Sequence, residues 1–283
     1  MSGTQNVLVA TDLDRTLIYS RAAFALPAGV QPPLICVEHY LGKEFSFMTR
    51  QAAAMLNRLS AVATVLPVTT RLPEQLDRVR LPGGRHRFAV TSNGGVLLVD
   101  GQVDRAWDRR VRRAIAEVVP LGEVWSHLTS ASLQPWLVRL RNAGDLFCYA
   151  IVDPASLPAN FFAETTAWAA VRGWRTSLQG RKLYWIPEPL TKSAAVREVA
   201  RRIDASLVLS AGDSLLDIDL LASADLGMQP AHGELFELGW SQPHVARSSA
   251  TGVLAGQAIV EWFLHTASVP EVPSRPRDPA HPE

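Results

Sequence analysis

Two aspartates one residue apart, Asp12 and Asp14, close the apolar run Val7-Leu8-Val9-Ala10, and Thr16 follows them. The run has the length and composition of a buried parallel strand. Two carboxylates at its exit repel each other unless a cation or a shared proton compensates them. In open α/β sheets, ligands bind just outside the carboxyl ends of the strands. The spacing therefore predicts a divalent-metal site at a strand tip, with one carboxylate free to attack. Three later features carry matching chemistry. Thr69 follows a second apolar run, and Lys192 opens a helix whose N-terminus would also attract an anion. Asp213 and Asp217 frame Ser214 in the stretch Gly212-Asp213-Ser214-Leu215-Leu216-Asp217 after another strand. Taken singly, these residues read as a cap, a solvated lysine and an N-cap. Their joint order after successive strands points to one site.

The elements that must position them follow from periodicity. Leu34–Glu38 and Glu44–Met48 read as a hairpin, and Thr49 as the cap of a helix bearing Met55, Leu56, Leu59 and Val62 on one face. A strand over Ala63–Val68 contains Pro67, which fits only at its end. A short helix over 73–80 is expected, then strands at 87–91 and 96–99 joined through Ser92-Asn93-Gly94-Gly95, then a helix capped by Asp104. Strands at about 123–129, 135–141 and 146–152, a helix around 159–171, and strands near 174–178 and 182–186 follow one another without regular alternation. That succession marks an antiparallel α+β unit. Strand-helix alternation resumes with a helix capped by Thr191, a strand over Ser206–Ser210, a helix to about Ser223, a short strand near Ala224–Met228 and a last helix opened by Gly252. The architecture expected is a Rossmann-like α/β core from residues 1–100 and 186–268, interrupted by an α+β cap over 101–185. Residues 269–283, rich in proline, are expected to be a disordered tail.

Composition excludes several classes. The chain has 283 residues and a formal net charge of +1, so it lacks the basic excess of a nucleic-acid binder. No apolar run approaches a membrane span, and no signal-like segment precedes the first strand. Cys36 and Cys148 are too few and too far apart in sequence for a disulfide framework or a thiolate zinc site, and a reducing cytoplasm is the expected compartment. The oligomeric state is not legible.

Asp12-Leu13-Asp14-Arg15-Thr16, Val68-Thr69-Thr70-Arg71, Ser92-Asn93-Gly94-Gly95, Thr191-Lys192-Ser193, Gly212-Asp213-Ser214-Leu215-Leu216-Asp217 and Thr251-Gly252-Val253 together resemble the haloacid dehalogenase-like (HAD) phosphohydrolases. The resemblance is to the Cof-like branch with a large inserted cap, akin to sucrose- and trehalose-phosphatase-like proteins, and covers residues 7 to about 265. Arg15, Thr70 and Ser193 stand where glycine is usual, and Leu216 replaces an asparagine. The resemblance implies that Asp12 attacks phosphorus to form an aspartyl-phosphate, and that Asp14 transfers protons and therefore needs a raised pKa in the substrate complex. It implies a Mg²⁺ held by Asp12, Asp213 and the backbone carbonyl of Asp14. Thr69 and Lys192 would bind the phosphoryl oxygens, with Asp217 and Ser214 behind them.

The implied activity is Mg²⁺-dependent hydrolysis of a small phosphorylated metabolite, with a lean to sugar phosphates and no nucleic-acid or membrane partner. The cap would close over the site and choose the substrate. Positions 85–190 hold thirteen Lys/Arg against nine Asp/Glu, a balance suited to an anionic substrate. Arg139 and Arg141 on one strand face, with Arg71 and Asn93, are substrate candidates. A phosphotransferase or mutase would use the same residues. A catalytically silent binding protein, or an interaction protein docking through the 34–48 hairpin or the proline tail, are the readings from other classes.

Overall fold

The computed structural model describes residues 6–130 and 134–269. β1 (Val7–Thr11) is buried along its whole length and separates two cores. Side chains alternate along a strand. Val7 and Val9 therefore join Leu56, Leu59, Ile259 and Phe263 on one face, whereas Leu8 and Ala10 join Leu66, Val196 and Val199 on the other. A strand covered on both faces is what an uninterrupted apolar run specifies.

β2 (Leu34–Tyr40) and β3 (Lys43–Thr49) form the expected hairpin. Leu41 and Gly42 both take positive φ, 51° and 73°, which matches the twist of a tight two-residue hairpin turn. Thr49 Oγ1 accepts from Ala52 N at 3.0 Å and caps α1 (Arg50–Leu59). β4 (Thr64–Pro67) ends at the proline the sequence placed there. Val68 N donates inward to Thr11 O and Thr69 N outward to Val90 O. By alternation the Pro67 nitrogen faces outward, where its missing N–H breaks no bond of the β1–β4 ladder. α2 (Pro73–Leu76) is shorter than the 73–80 span expected, because Val79 bridges to Glu38 of β2 instead of continuing the helix. β5 (Phe88–Thr91), β6 (Val96–Val99) and β7 (Gln102–Val103) form an antiparallel ladder. Asp104 caps α3 (Arg105–Ile115) through Trp107 N at 2.8 Å.

One expected element is corrected. The segment read as a strand at 123–129 is the helix α4 (Leu121–Ser130). Val124 and Leu128, four residues apart, are its buried pair, and Thr129 Oγ1 donates back to Trp125 O at 2.9 Å. The i,i+4 pairing specifies a helix here despite the valine, tryptophan and threonine of the segment. β8 (Leu137–Ala143), β9 (Phe147–Val152), α5 (Phe161–Ala170), β10 (Trp174–Gln179) and β11 (Lys182–Pro187) follow. Their strands make an antiparallel sheet in the order β10-β11-β9-β8.

α6 (Lys192–Arg202), β12 (Leu207–Ala211), α7 (Ile218–Ser223), β13 (Leu226–Gln229), α8 (Glu234–Glu237), β14 (Val245–Arg247) and α9 (Gly252–Ser268) complete the chain. Helix α8 and strand β14, at four and three residues, are too short to show a period in the sequence. The core sheet has the order β14-β13-β12-β1-β4 with every pair parallel. The fold is thus the expected α/β class, a Rossmann-like parallel sheet with an antiparallel α+β insertion. Of the tail expected at 269–283, residues 270–283 lie outside the described residues. Among the described residues no helix is long and apolar enough to cross a membrane.

Candidate active site

β1 and β12 are neighbours and end together, Thr11 pairing with Ala211. Asp12 and Asp213 therefore leave the sheet side by side. Asp12 N still donates to Ala211 O at 2.9 Å, so Asp12 is fixed by the last rung of the ladder. Beyond it the chain turns sharply: Leu13 O accepts from the backbone N of Thr16, Leu17 and Ile18, and Arg15 takes φ 62°. The glycine usual at that position in the family resembled suits this left-handed conformation. Here arginine adopts it within a braced turn. His232 Nδ1 accepts from Gly252 N at 3.1 Å, which leaves the ring proton on Nε2 to donate to Arg15 O at 2.9 Å.

Lys192 is buried at 1% exposure at the start of α6, where Thr191 Oγ1 caps Ala194 N. Its Nζ lies 2.7 Å from Asp12 Oδ1 and 2.5 Å from Asp217 Oδ1. Burial alone would lower the lysine's pKa, but the two carboxylates outweigh it and raise it. Asp217 is saturated. Its second oxygen accepts from Asp213 N, Ser214 N and Ser214 Oγ at 3.2, 3.0 and 2.7 Å. This makes Asp217 and Ser214 a bracket for Lys192 and the Asp213 loop.

Asp12, Asp213 and Asp217 bring carboxylate oxygens within 4.8 Å of one another. Burial, offset only partly by Lys192 and reinforced by Asp217, pushes Asp12 up to about 7. Burial and then Asp12 and Asp217 push Asp213 well above the usual carboxylate range. Three acids against one lysine leave an excess of negative charge that a divalent cation would neutralise. Gly233 sustains the cradle: with φ 89°, a Cβ there would sit 2.6 Å from Asp213 Oδ2. The oxygen-only donor set suits Mg²⁺. Arg15 Nε approaches Asp213 at 3.7 Å from a half-exposed position.

Asp14 has a different environment. Arg71 Nε and Nη2 each donate to it at 2.7 Å, a bidentate clamp. Burial would raise its pKa, but Arg71's hydrogen bonds and charge hold it below the usual carboxylate value. The raised pKa expected of Asp14 belongs to the substrate complex; without substrate, Arg71 holds the carboxylate ionised. Behind Arg71, Nη1 faces Glu38 at 2.9 Å, and Arg78 reaches the same carboxylate at 3.3 Å. Glu38 is fully buried and accepts from Ser46 Oγ at 2.6 Å. The hairpin that the sequence left without a role thus holds Arg71, and through it Asp14. Glu38 was missed because a glutamate in a strand reads as solvent-facing.

Thr69 leaves β4 beside β1, two residues past the Thr11–Pro67 pair. It is fully buried, and its Oγ1 accepts from Arg71 N at 3.1 Å. Asn93 takes φ 56° and donates Nδ2 to Leu190 O at 3.0 Å, pinning the turn after β5 to the start of α6. Leu216, in the place of the family's asparagine, is core. Glu234, at the head of the unforeseen α8, accepts from Leu215 N at 2.9 Å and braces the Asp213 loop.

The insertion meets the site through one face of its sheet. Lys182 pairs with Ile151 and Ile151 with Arg139, while Tyr184 pairs with Tyr149 and Tyr149 with Arg141. Partners across a ladder share a face, so Arg139, Arg141, Tyr149, Lys182 and Tyr184 lie together. Lys182 is held above its ordinary value by the field of Tyr184 and then of Asp14, and Tyr184 hydrogen-bonds Thr70 beside Thr69. Lys182 and Tyr184 are therefore the insertion residues that face Asp14. Arg139 and Arg141 lie on the same face two strands away. Lys182, alone in a strand-start Arg-Lys-Leu, gave no sequence signal that set it above the arginines.

No protein-family model matches the chain, and no curated protein matches it by sequence. Solved structures do match it. The sucrose-phosphatase of Synechocystis sp. PCC6803, in complex with sucrose and phosphate, superposes with a TM-score of 0.59 at 13% identity, over 92% of this chain and 98% of that one. A trehalose-6-phosphate phosphatase related protein gives 0.56 at 16% identity, over 92% and 97%. A phosphatase of the haloalkanoate (HAD) enzyme superfamily from Bacteroides thetaiotaomicron gives 0.53 at 13%, over 92% and 95%. The chain has the fold of the HAD-superfamily phosphatases.

Proposed function

We propose that the protein is a Mg²⁺-dependent phosphatase that hydrolyses a small phosphorylated metabolite, a sugar phosphate by preference, through an aspartyl-phosphate on Asp12. One observation carries the reading. Asp12 is a buried carboxylate at a strand tip, gripped by Lys192 Nζ at 2.7 Å and Thr16 Oγ1 at 3.2 Å, inside a pocket with more negative charge than its own lysine can balance.

Asp12, Asp213 and the backbone carbonyl of Asp14 would hold Mg²⁺, whose charge lets an anionic carboxylate meet an anionic phosphate. Asp12 attacks phosphorus as the bond to the leaving oxygen breaks, and Asp14 supplies that oxygen's proton. Water then attacks the phosphorus, gives its proton to Asp14, and the bond to Asp12 breaks to release phosphate. Lys192 and Thr69 stabilise the phosphoryl oxygens. The ionised Asp14 favoured by Arg71 is the form the hydrolytic half needs. The first half needs a proton on Asp14, so Arg71 turns part of its charge to the incoming anion.

Residues 101–185 act as the cap, and their basic, tyrosine-bearing face receives the rest of the substrate. The structural likeness to a sucrose-phosphatase and a trehalose-6-phosphate phosphatase related protein supports a sugar. The test is phosphate release from a panel of phosphorylated metabolites with Mg²⁺ and with chelator. Hydrolysis that requires Mg²⁺ and is lost in Asp12→Asn is expected. Folded protein that hydrolyses no member would favour a silent binding protein.

A further inference from the structure

Away from the acidic pocket, the outer face of the β2–β3 hairpin gathers a thiol, an imidazole and a carboxylate. Cys36, His39 and Glu44 bring one ligand atom each within 4.8 Å of the others. Residues three apart in a regular strand point to opposite faces, so Cys36 and His39 should not meet. They meet because β2 is bulged: its pairing with β3 shifts between Cys36 and Glu38, and again between Glu38 and His39. The irregularity turns two consecutive side chains inward, Val37 at 2% and Glu38 at 0% exposure, and leaves Cys36 and His39 together outside. Glu44 arrives from the other strand as the direct cross-strand partner of His39. Bulges commonly re-aim side chains in this way.

The spacing has a chemical meaning. Cys36 Sγ and His39 Nδ1 are 3.8 Å apart. Tetrahedral zinc with ordinary Zn–S and Zn–N bonds requires about 3.6 Å between those atoms. We propose that Cys36, His39 and Glu44 form a binding site for a zinc-class divalent cation, distinct from the oxygen-only pocket at Asp12 and Asp213. Thiolate, neutral imidazole and carboxylate suit borderline-soft transition ions, with water as the fourth ligand, and do not suit Mg²⁺. Binding releases the Cys36 thiol proton to solvent and frees the contact its Sγ makes to Glu38 O at 3.0 Å. Arg21 engages Glu44 Oε2 at 2.7 Å, but that pair is solvent-exposed and weak, and the carboxylate has a second oxygen to offer. The cation would lock the bulge that turns Glu38 inward to Arg71, and so tie the hairpin to the Asp14 clamp.

The test uses the full-length protein, stripped of metal and held in excess Mg²⁺ so that the carboxylate pocket is filled. Titration with Co²⁺ is expected to raise a thiolate-to-cobalt charge-transfer band that saturates at one equivalent and is bleached by Zn²⁺. Cys36→Ser is expected to remove the band, and His39→Ala, at an exposed position, to weaken binding at least about tenfold. Cys148 cannot imitate the signal, because burial pushes its thiol up to about 12. No band at one equivalent, a band that survives Cys36→Ser, or parental affinity in His39→Ala would each overturn the site. The readout is independent of catalysis, so its failure leaves the phosphatase reading untouched, and the reverse.

Discussion

Two knots of charge flank the end of β1, and they are balanced differently. Around Asp12, the buried acids Asp12, Asp213 and Asp217 share one buried lysine, Lys192. Around Asp14, two acids, Asp14 and Glu38, face two arginines, Arg71 and Arg78. In the second knot each acid is matched by an arginine, as suits a scaffold. The first is short of positive charge, and burial makes that shortage costly, which is why Asp12 and Asp213 are pushed upward while Asp14 is held down. Aspartates two residues apart thus acquire opposite character from their surroundings. In the proposed mechanism the underfilled knot would take the cation and react, and the filled one would position the proton carrier.

The comparison can be broken most severely at Asp12 itself. Asp12→Asn is expected to lower Mg²⁺-dependent phosphate release by at least about 10³-fold. Parental turnover would remove Asp12 from the chemistry. Next in size, Lys192→Met strips the first knot of its only buried cation. Breaking a buried pair by removing one partner costs about 3–5 kcal/mol. Denaturant unfolding without metal should show that loss, and Mg²⁺ should recover part of it. A loss unaffected by Mg²⁺ would mean the acids are not a cation site.

At the second knot, Arg71→Ala should slow turnover about 10²-fold, since small displacements of a reacting group cost that much. It should also move the pH limb belonging to Asp14 upward, because the charge that depresses its pKa is gone. A slowed enzyme with an unmoved profile would reduce Arg71 to a packing role.

The pH dependence separates the knots further. In the metal-free protein burial pushes Asp12 up to about 7, above its ordinary value of 3.8. The folded form then binds more protons between those values, so this group's contribution to stability falls as pH rises from about 4 to 7. Mg²⁺ requires the ionised carboxylates. The rise in Tm on adding Mg²⁺ should therefore grow from pH 5 to pH 8. A rise independent of pH would place the ion elsewhere. The smallest effect is expected at the edge of the cap face. Arg139→Ala and Arg141→Ala should raise KM a few-fold with kcat unchanged, and Lys182→Ala should do more, because it faces Asp14.

Much of this was legible in the sequence for specific reasons. An apolar run of strand length ending in Asp12 reads as β1 because burial on both faces removes the polar alternation. Thr49, Asp104 and Thr191 read as caps, and each accepts the backbone N–H three residues on. The segment 121–130 misled because strand-favouring residues hid the Val124–Leu128 spacing. Glu38 and Lys182 carried no local signal at all. Their importance comes from partners 33 residues away at Arg71 and 168 away at Asp14, respectively.

By itself, then, the sequence determined which acids, threonine and lysine stand at strand and helix tips, since strand and helix periods and caps are local properties. Only the tertiary structure decided how those residues differ in charge state. Desolvation and ion pairing depend on which distant side chains share a low-dielectric volume, and folding alone brings Lys192 and Asp217 to Asp12, and Glu38 through Arg71 to Asp14.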